Sequence, residues 1–422
     1  MRCAKGDVRN AASTALVAIL LSLLIAPGTP VHAQRVRVGA EVLIEKNLLL
    51  LAGKNVGVIC NQTSILPGDT HLIDTLLRLG IHVTTLFSPE HGIRGERPAG
   101  ERVENETDPK THLPVYSLFG RTQKPTPGML KNVDALVFDL QDVGARFYTY
   151  ASTMANAMAA AAENGKQFIV LDRPNPINGV DIEGPILDTT LRSFIGMFPI
   201  PIRHGMTLGE LAKMIVGEQW LGTGLHLDLT VIPMGGWKRS MWYDDTELPW
   251  LPPSPNMRTI TAATVYPGTC LFEATNVSEG RGTERPFEYI GAPWIDGDSL
   301  ASGLNDLALS GVHFESIRFV PMFDSVAAPH PKYGGEMCRG VYVHVTDRSR
   351  FHPVEVGLKL LAKIRELYPA RVKMRQDSFD RLLGVRIVGE TPGQSTFDST
   401  LLTPTNREFR HFEAKRSGYL LY

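Results

Sequence analysis

From about residue 40 to residue 235 the chain alternates short apolar runs with stretches of helical periodicity. Residues 55–60 (NVGVIC), 82–88 (HVTTLFS), 135–140 (ALVFDL), 167–172 (QFIVLD) and 227–233 read as strands. Their near-continuous apolar character suits strands covered on both faces. Between them, residues 70–79 and 148–164 read as helices stopped by Gly80 and Gly165. Thr207 and Glu210 have capping-box spacing and open a further helix through Val216. This alternation predicts a parallel sheet with helices on both faces. Residues 236–268 are rich in Trp and Pro (Trp237, Trp242, Trp250, Pro252, Pro253, Pro255, Pro267), show little periodicity, and read as a long shaped connection. Beyond them, residues 314–321 and 340–346 read as strands and 354–367 as an amphipathic helix. The expected architecture is an α/β domain over 38–260 followed by a smaller α+β domain over 263–422. A length of 422 residues agrees with two cores.

The first 33 residues stand apart. Arg2, Lys5 and Arg9 precede a twelve-residue apolar run, 15–26, and Val31-His32-Ala33 fits a signal-peptidase site. This is the pattern of a secretory signal, too short to span a bilayer. The mature chain is expected to be exported, periplasmic or secreted, without stable membrane insertion. It would keep 40 basic and 43 acidic side chains over 389 residues. That balance argues against a nucleic-acid partner. Cys60, Cys270 and Cys338 remain, too few for a disulfide scaffold. Cys60 and Cys270 lie in strand-like apolar runs and read as packing residues.

Ligands of open parallel sheets bind at the carboxyl ends of the strands. Here four such ends run into polar turns: 61–63, 88–95 (SPEHGIRG), 139–146 (DLQDVGAR) and 172–176 (DRPNP). Together they bring Glu90, His91, Arg94, Asp139, Asp142, Arg146, Arg173 and Asn175 to one edge. A second cluster, 271–286 (LFEATNVSEGRGTERP), holds Glu273, Asn276, Glu279 and Arg281, with Gly280 and Gly282 allowing close backbone approach. His204, just before the 207–216 helix, could orient a ligand. There is no P-loop, dinucleotide fingerprint, zinc spacing or nucleophile elbow. The tetrapeptide 297–300 (GDSL) follows no strand in this reading. No metal or cofactor is expected. What remains is carboxylate chemistry, as glycoside hydrolysis requires: a proton donor and usually a second carboxylate. Phe147, Tyr148, Trp237, Trp242 and Trp250 could stack on sugar faces.

The segments SPEHGIRG (88–95), FDLQDVGARFYTY (138–150), LDRPNP (171–176), RHGMTLGEL (203–211), PPSPNM (252–257) and TNVSEGRGTERPFE (275–288) resemble the exo-β-N-acetylmuramidase (NamZ) family. The likeness runs from about Val38 to the end of the chain. It implies a Rossmann-like catalytic domain, a smaller C-terminal domain, and an active-site cleft between them. It also implies release of N-acetylmuramic acid from the non-reducing ends of peptidoglycan fragments. Glu90 is then the leading catalytic residue, with Asp139, Asp142, Glu273 and Glu279 available as the second group. The sequence departs from the family pattern at Ala274 and Arg258, neither of them an acid. Muramic acid carries a lactyl carboxylate, a natural partner for an Arg fork, and Arg94, Arg146, Arg173 and Arg281 are the candidates. Retention, inversion and participation of the substrate acetamide are all compatible with such a site, and carboxylate spacing separates the first two. Competing readings are a non-catalytic binder of peptidoglycan fragments and a cell-wall esterase or deacetylase. If residues 1–33 are a signal, mass spectrometry of the exported protein will find Gln34 at its N-terminus; an intact Met1 end would overturn it.

Overall fold

A computed structural model describes Met1 and residues 35–94, 105–387 and 407–422. Apart from Met1, the expected signal segment lies outside the described residues. Residues Val36–Tyr422 form one compact unit, with Met1–Arg35 a separate one.

The five expected strands exist and are parallel. They are β1 (Val56–Cys60), β4 (Val83–Ser88), β7 (Ala135–Asp139), β8 (Gln167–Leu171) and β9 (Leu229–Ile232). A small hairpin, β2 (Ile65–Leu66) with β3 (Thr70–His71), lies outside the main sheet. Two strands missing from the sequence reading, β5 (Glu106–Thr107) and β6 (Pro114–Ser117), extend one side. The sheet order is β5-β6-β4-β1-β7-β8-β9, and only β5 runs antiparallel. β1 and β7 are almost wholly apolar and buried on both faces, as a helix-covered sheet requires. Helices α1 (Leu72–Arg78), α2 (Tyr150–Glu163) and α3 (Leu208–Gly217) connect the strands. Thr207 and Glu210 form the expected reciprocal cap of α3.

The stretch expected to be an aperiodic connection ends in a helix, α4 (Ile260–Thr269). Residues 262–269 are all buried, so no polar face marks a helical period, and Pro267 sits in its last turn. A smaller antiparallel sheet follows, ordered β10-β12-β11, from β10 (Tyr289–Ala292), β11 (Val312–Phe319) and β12 (Cys338–Val345). It is joined by α5 (Gly297–Asn305) and α6 (Pro353–Leu367). Gly268 of α4 and Gly357 of α6 let these helices touch backbone to backbone. A Cβ on Gly268 would lie 1.8 Å from the Pro353 carbonyl oxygen. Residues 297–300 do follow a strand, since β10 was too short to be read from sequence. They open α5, where the Ser299 amide donates to the capping Asp296 carboxylate. One apolar cluster runs without a break from Phe138 and Phe168 in the large sheet to Val341 and Ile364 in the smaller domain.

Two further helices, α7 (Gln376–Leu383) and α8 (Arg407–Ser417), complete the described chain. α8 and the tail return to the large sheet. Lys415 pairs with Glu218, the Leu421 amide donates to Glu210 (2.9 Å), and the Tyr422 hydroxyl donates to Asp172 (2.7 Å). Cys60, Cys270 and Cys338 are buried free thiols, and burial pushes all three up in pKa. Cys270 lies in a 3-10 turn after α4, where a strand was expected. Among the described residues, no helix is long and apolar enough to cross a membrane.

Candidate active site

The sheet order reverses between β1 and β7, the place where such folds usually bind ligands. Here many of the polar groups at that edge bond one another. The Gln141 amide donates to Thr63 Oγ1 (3.1 Å), and Ser64 Oγ donates to the Asp139 carbonyl (2.6 Å). Asn61 Nδ2 donates to the Tyr150 hydroxyl (2.9 Å). Arg173 clamps Asp139 with two hydrogen bonds (2.6 and 3.0 Å), both side chains buried. A cavity of about 430 Å³ is lined by residues that follow both β4 (Glu90, His91) and β7 (Phe147, Tyr148, Thr149), together with the loops of the smaller domain.

Glu90 borders this cavity from the turn that follows β4. Two successive residues there, His91 (φ 74°) and Gly92 (φ 78°), are left-handed, and the Gly92 amide closes the turn onto the Pro89 carbonyl (3.1 Å). A histidine in that conformation is strained, a feature concentrated at working sites. Thr149 Oγ1, at the start of α2, donates to Glu90 Oε2 (2.8 Å). Phe147 and Tyr148 line the same cavity, and Tyr266 joins them edge-on to Phe287, with ring centroids 4.8–6.0 Å apart.

The glycine-flanked loop after α4 also lines the cavity. Gly280 (φ 77°) and Gly282 (φ 82°) hold Arg281 between them, and a Cβ on Gly282 would lie 2.4 Å from the Met322 carbonyl oxygen. Ser278 exchanges backbone hydrogen bonds with Gly291 of β10, fixing the loop to the smaller sheet (2.8 and 3.0 Å). Arg281 Nη2 donates to Glu273 (2.6 Å), its Nε lies 3.4 Å from Glu279, and its guanidinium stacks over Phe287. Lys332 Nζ donates to the other Glu279 oxygen (2.7 Å) and to two backbone carbonyls. Glu279 is therefore paired with two cations, and it is nearly buried.

The cavity thus unites Glu90, His91, Glu273, Glu279 and Arg281 of the expected residues. Others serve the fold. Asp139 and Arg173 neutralise each other across the switch point. Arg146 is buried and gives its N–H groups to the carbonyls of Pro185, Ile200 and Leu382. Asn175 is used by the Met206 carbonyl and the Ile177 amide. Asn276 staples residues 371–373 through both ends of its amide. Arg94 pairs with buried Asp108 (2.9 Å); burial alone would raise that acid, but hydrogen bonds from Thr111 and Arg94 hold it below the usual range. Of the aromatics, Trp237 packs on Tyr422, Trp250 on Tyr243, and Trp242 lies beneath Arg203 and Arg348. Among the described residues, no group of three or more His, Cys, Asp or Glu side chains is placed to hold a metal ion.

Asp142 and His204 form a buried pair behind the cavity, 3.9 Å apart. His204 Nδ1 accepts the Met206 amide, so Nε2 carries the proton, yet it has no hydrogen-bond partner. Asp142 Oδ1 likewise lacks one. Burial pushes Asp142 up to about 7 and His204 down to about 3, the latter helped by Arg416 and Arg146. Both are therefore neutral near pH 6.

Sequence reasoning missed Thr149, Tyr266, Phe287, Lys332 and Arg375, which border or shape the cavity. The Pro-rich stretch 329–332 (PHPK) was the only local hint. Lys332 and Arg375 reach the site through loops whose positions are set by tertiary packing.

A family model described as "Exo-beta-N-acetylmuramidase NamZ, N-terminal" matches residues 56–261, and its C-terminal counterpart matches residues 264–422. The peptidoglycan beta-N-acetylmuramidase NamZ of Bacillus subtilis (strain 168) is 45% identical over 390 residues, covering 92% of each chain. Two solved DUF1343 family proteins from Bacteroides fragilis NCTC 9343 align with TM-scores of 0.84 and 0.73, at 37% and 35% identity. Each alignment covers 92% of this chain and 99% of the solved one.

Buried Asp142, Asp172 and Glu183 are raised to about 7, 6 and 7, so folding makes them hold protons that the unfolded chain releases. Burial lowers His204 and also His71, which act in the opposite sense, but it raises Glu288 as well, so four acids stand against two histidines. Stability is therefore expected to fall as pH rises from about 4.5 to about 6, each tenfold gain in proton affinity on folding being worth roughly 1.4 kcal/mol. Thermal melts of Asp142→Asn should show a shallower fall than wild type across that range. An unchanged slope would mean that Asp142 is ionised throughout.

Proposed function

The chain belongs to the exo-β-N-acetylmuramidase NamZ family, and from that premise we propose how its cavity performs the reaction. The protein is a glycoside hydrolase of peptidoglycan fragments, releasing N-acetylmuramic acid from non-reducing ends. The observation that carries the residue assignment is the setting of Glu279, which lines one cavity together with Glu90 and lies between two cations. Glu279 is set between Arg281 and Lys332, and Glu90 accepts a hydrogen bond from the Thr149 hydroxyl. A carboxyl that must take and give a proton is poorly served by two adjacent cations; one that must stay negative is well served by them. Glu90 is accordingly the proton donor to the glycosidic oxygen. Glu279 is the second carboxylate, facing the positive charge that develops at the anomeric carbon. Glu273 holds Arg281 from its other side and positions it.

Phe147, Tyr148, Tyr266 and Phe287 line the same cavity and offer the sugar apolar ring faces and edges. We further propose that residues 1–33 direct export to the periplasm or the medium. The proposal is supported by the basic, apolar and small-residue order of that segment and by the location of peptidoglycan outside the cytoplasmic membrane.

A chromogenic N-acetyl-β-muramide tests the assignment. Wild type should release the chromophore from it and not from the matching N-acetylglucosaminide. Glu90→Gln should lower kcat by about 10²–10⁴-fold with KM within a few-fold. Glu279→Gln should also lower kcat strongly, because it leaves Arg281 and Lys332 short of a counter-charge. Wild-type turnover in Glu90→Gln would remove Glu90 from the chemistry. Binding without release would favour a fragment-binding protein, and acetate release a deacetylase.

A further inference from the structure

Three cationic side chains stand at or against the cavity, and two of them are already matched. Arg281 is held between Glu273 and Glu279, and Lys332 is held by Glu279 and two carbonyls. Arg375 differs. It borders the cavity, is exposed, and pairs with no carboxylate among the described residues. Its Nη2 donates to the Glu273 carbonyl (2.8 Å), which leaves most of its five N–H donors for another group.

The backbone under Arg375 is firmly tied to the loop that carries the acids. The Arg375 amide donates to the Ala274 carbonyl (2.8 Å), and the Asn276 amide donates to the Lys373 carbonyl (3.0 Å). Asn276 Oδ1 accepts the Lys373 amide (2.7 Å), and its Nδ2 donates to the Arg371 carbonyl (3.0 Å). Residues 371–375 therefore form an extra edge on the 273–276 loop, and the fork of Arg375 starts from a fixed point. A planar fork with spare donors, beside a cavity whose other cations are neutralised, is suited to an anionic group brought by the ligand.

We propose that Arg375 reads the lactyl carboxylate of the muramic acid unit and sets the preference for muramides over glucosaminides. The proposal rests on the muramidase reading above and adds a specificity-determining residue to it.

Two chromogenic substrates test it: the N-acetyl-β-muramide, and the same compound with the lactyl carboxylate converted to its neutral methyl amide. Wild type should favour the acid about tenfold or more in kcat/KM, mainly through KM. Arg375→Ala should lose at least tenfold more on the acid than on the amide, at an unchanged melting temperature. Arg375→Lys, which keeps the charge but not the fork, should fall between. Equal losses on both substrates, or an acid preference that survives Arg375→Ala, would overturn the role of Arg375 while leaving the muramidase reading intact. A wild type inert on both substrates would overturn the reading and the proposal together.

Discussion

The fold converges on the carboxylate of Asp172, which is wholly buried at the end of β8. An acid in that position must collect donors, and this one collects four. Its Oδ1 accepts the amides of Arg173 (3.1 Å) and Gly209 (2.8 Å), and its Oδ2 accepts the hydroxyls of Thr207 and Tyr422 (2.7 Å each). These donors come from the strand end, the first turn of α3, and the last residue of the chain. One desolvated group therefore fixes the exit of a central strand, the start of a helix and the path of the tail. Gly209 is required here, since a Cβ would lie 2.6 Å from the Asp172 carboxyl carbon.

With β8 held in this way, Arg173 points back onto Asp139, and the switch-point edge closes upon itself. Asp139, Arg173, Asn61, Ser64 and Thr63 there are engaged with protein partners. The cavity takes Glu90 from the turn after β4 and Thr149 from the start of α2, joined by a hydrogen bond. The counterpart of Glu90 arrives from the smaller domain, on a loop pinned to β10 at Ser278 and to residues 371–375 at Asn276. The cavity thus draws its lining from two parts of the chain. One presents a carboxyl beside a hydroxyl and aromatic rings. The other presents carboxylates locked among cations.

The sequence disclosed the parts of this molecule in which local pattern and tertiary role agree. β1, β7 and β8 were legible because burial on both faces writes a near-continuous apolar run. The Thr207–Glu210 cap was legible because its spacing is its mechanism. α4 was not, since burial all round leaves no polar face to set a period. β10 was not, since four residues carry too little pattern. At the site, Glu90 stood out through its Pro and Gly neighbours, and Glu279 and Arg281 through the glycines around them. Grouping every polar strand end into the site included Asp139, Arg146, Arg173 and Asn175, because an edge rich in polar residues reads the same whether they face a ligand or each other. Lys332 and Arg375 have no local signature, since their positions depend on loops that meet only in the folded chain.

The three buried thiols carry one more consequence. None is bonded to another, and burial keeps each protonated and away from solvent. Thiol oxidation and exchange proceed through exposed thiolates. These three thiols are therefore sheltered from thiol oxidation and exchange by the folding of the chain around them.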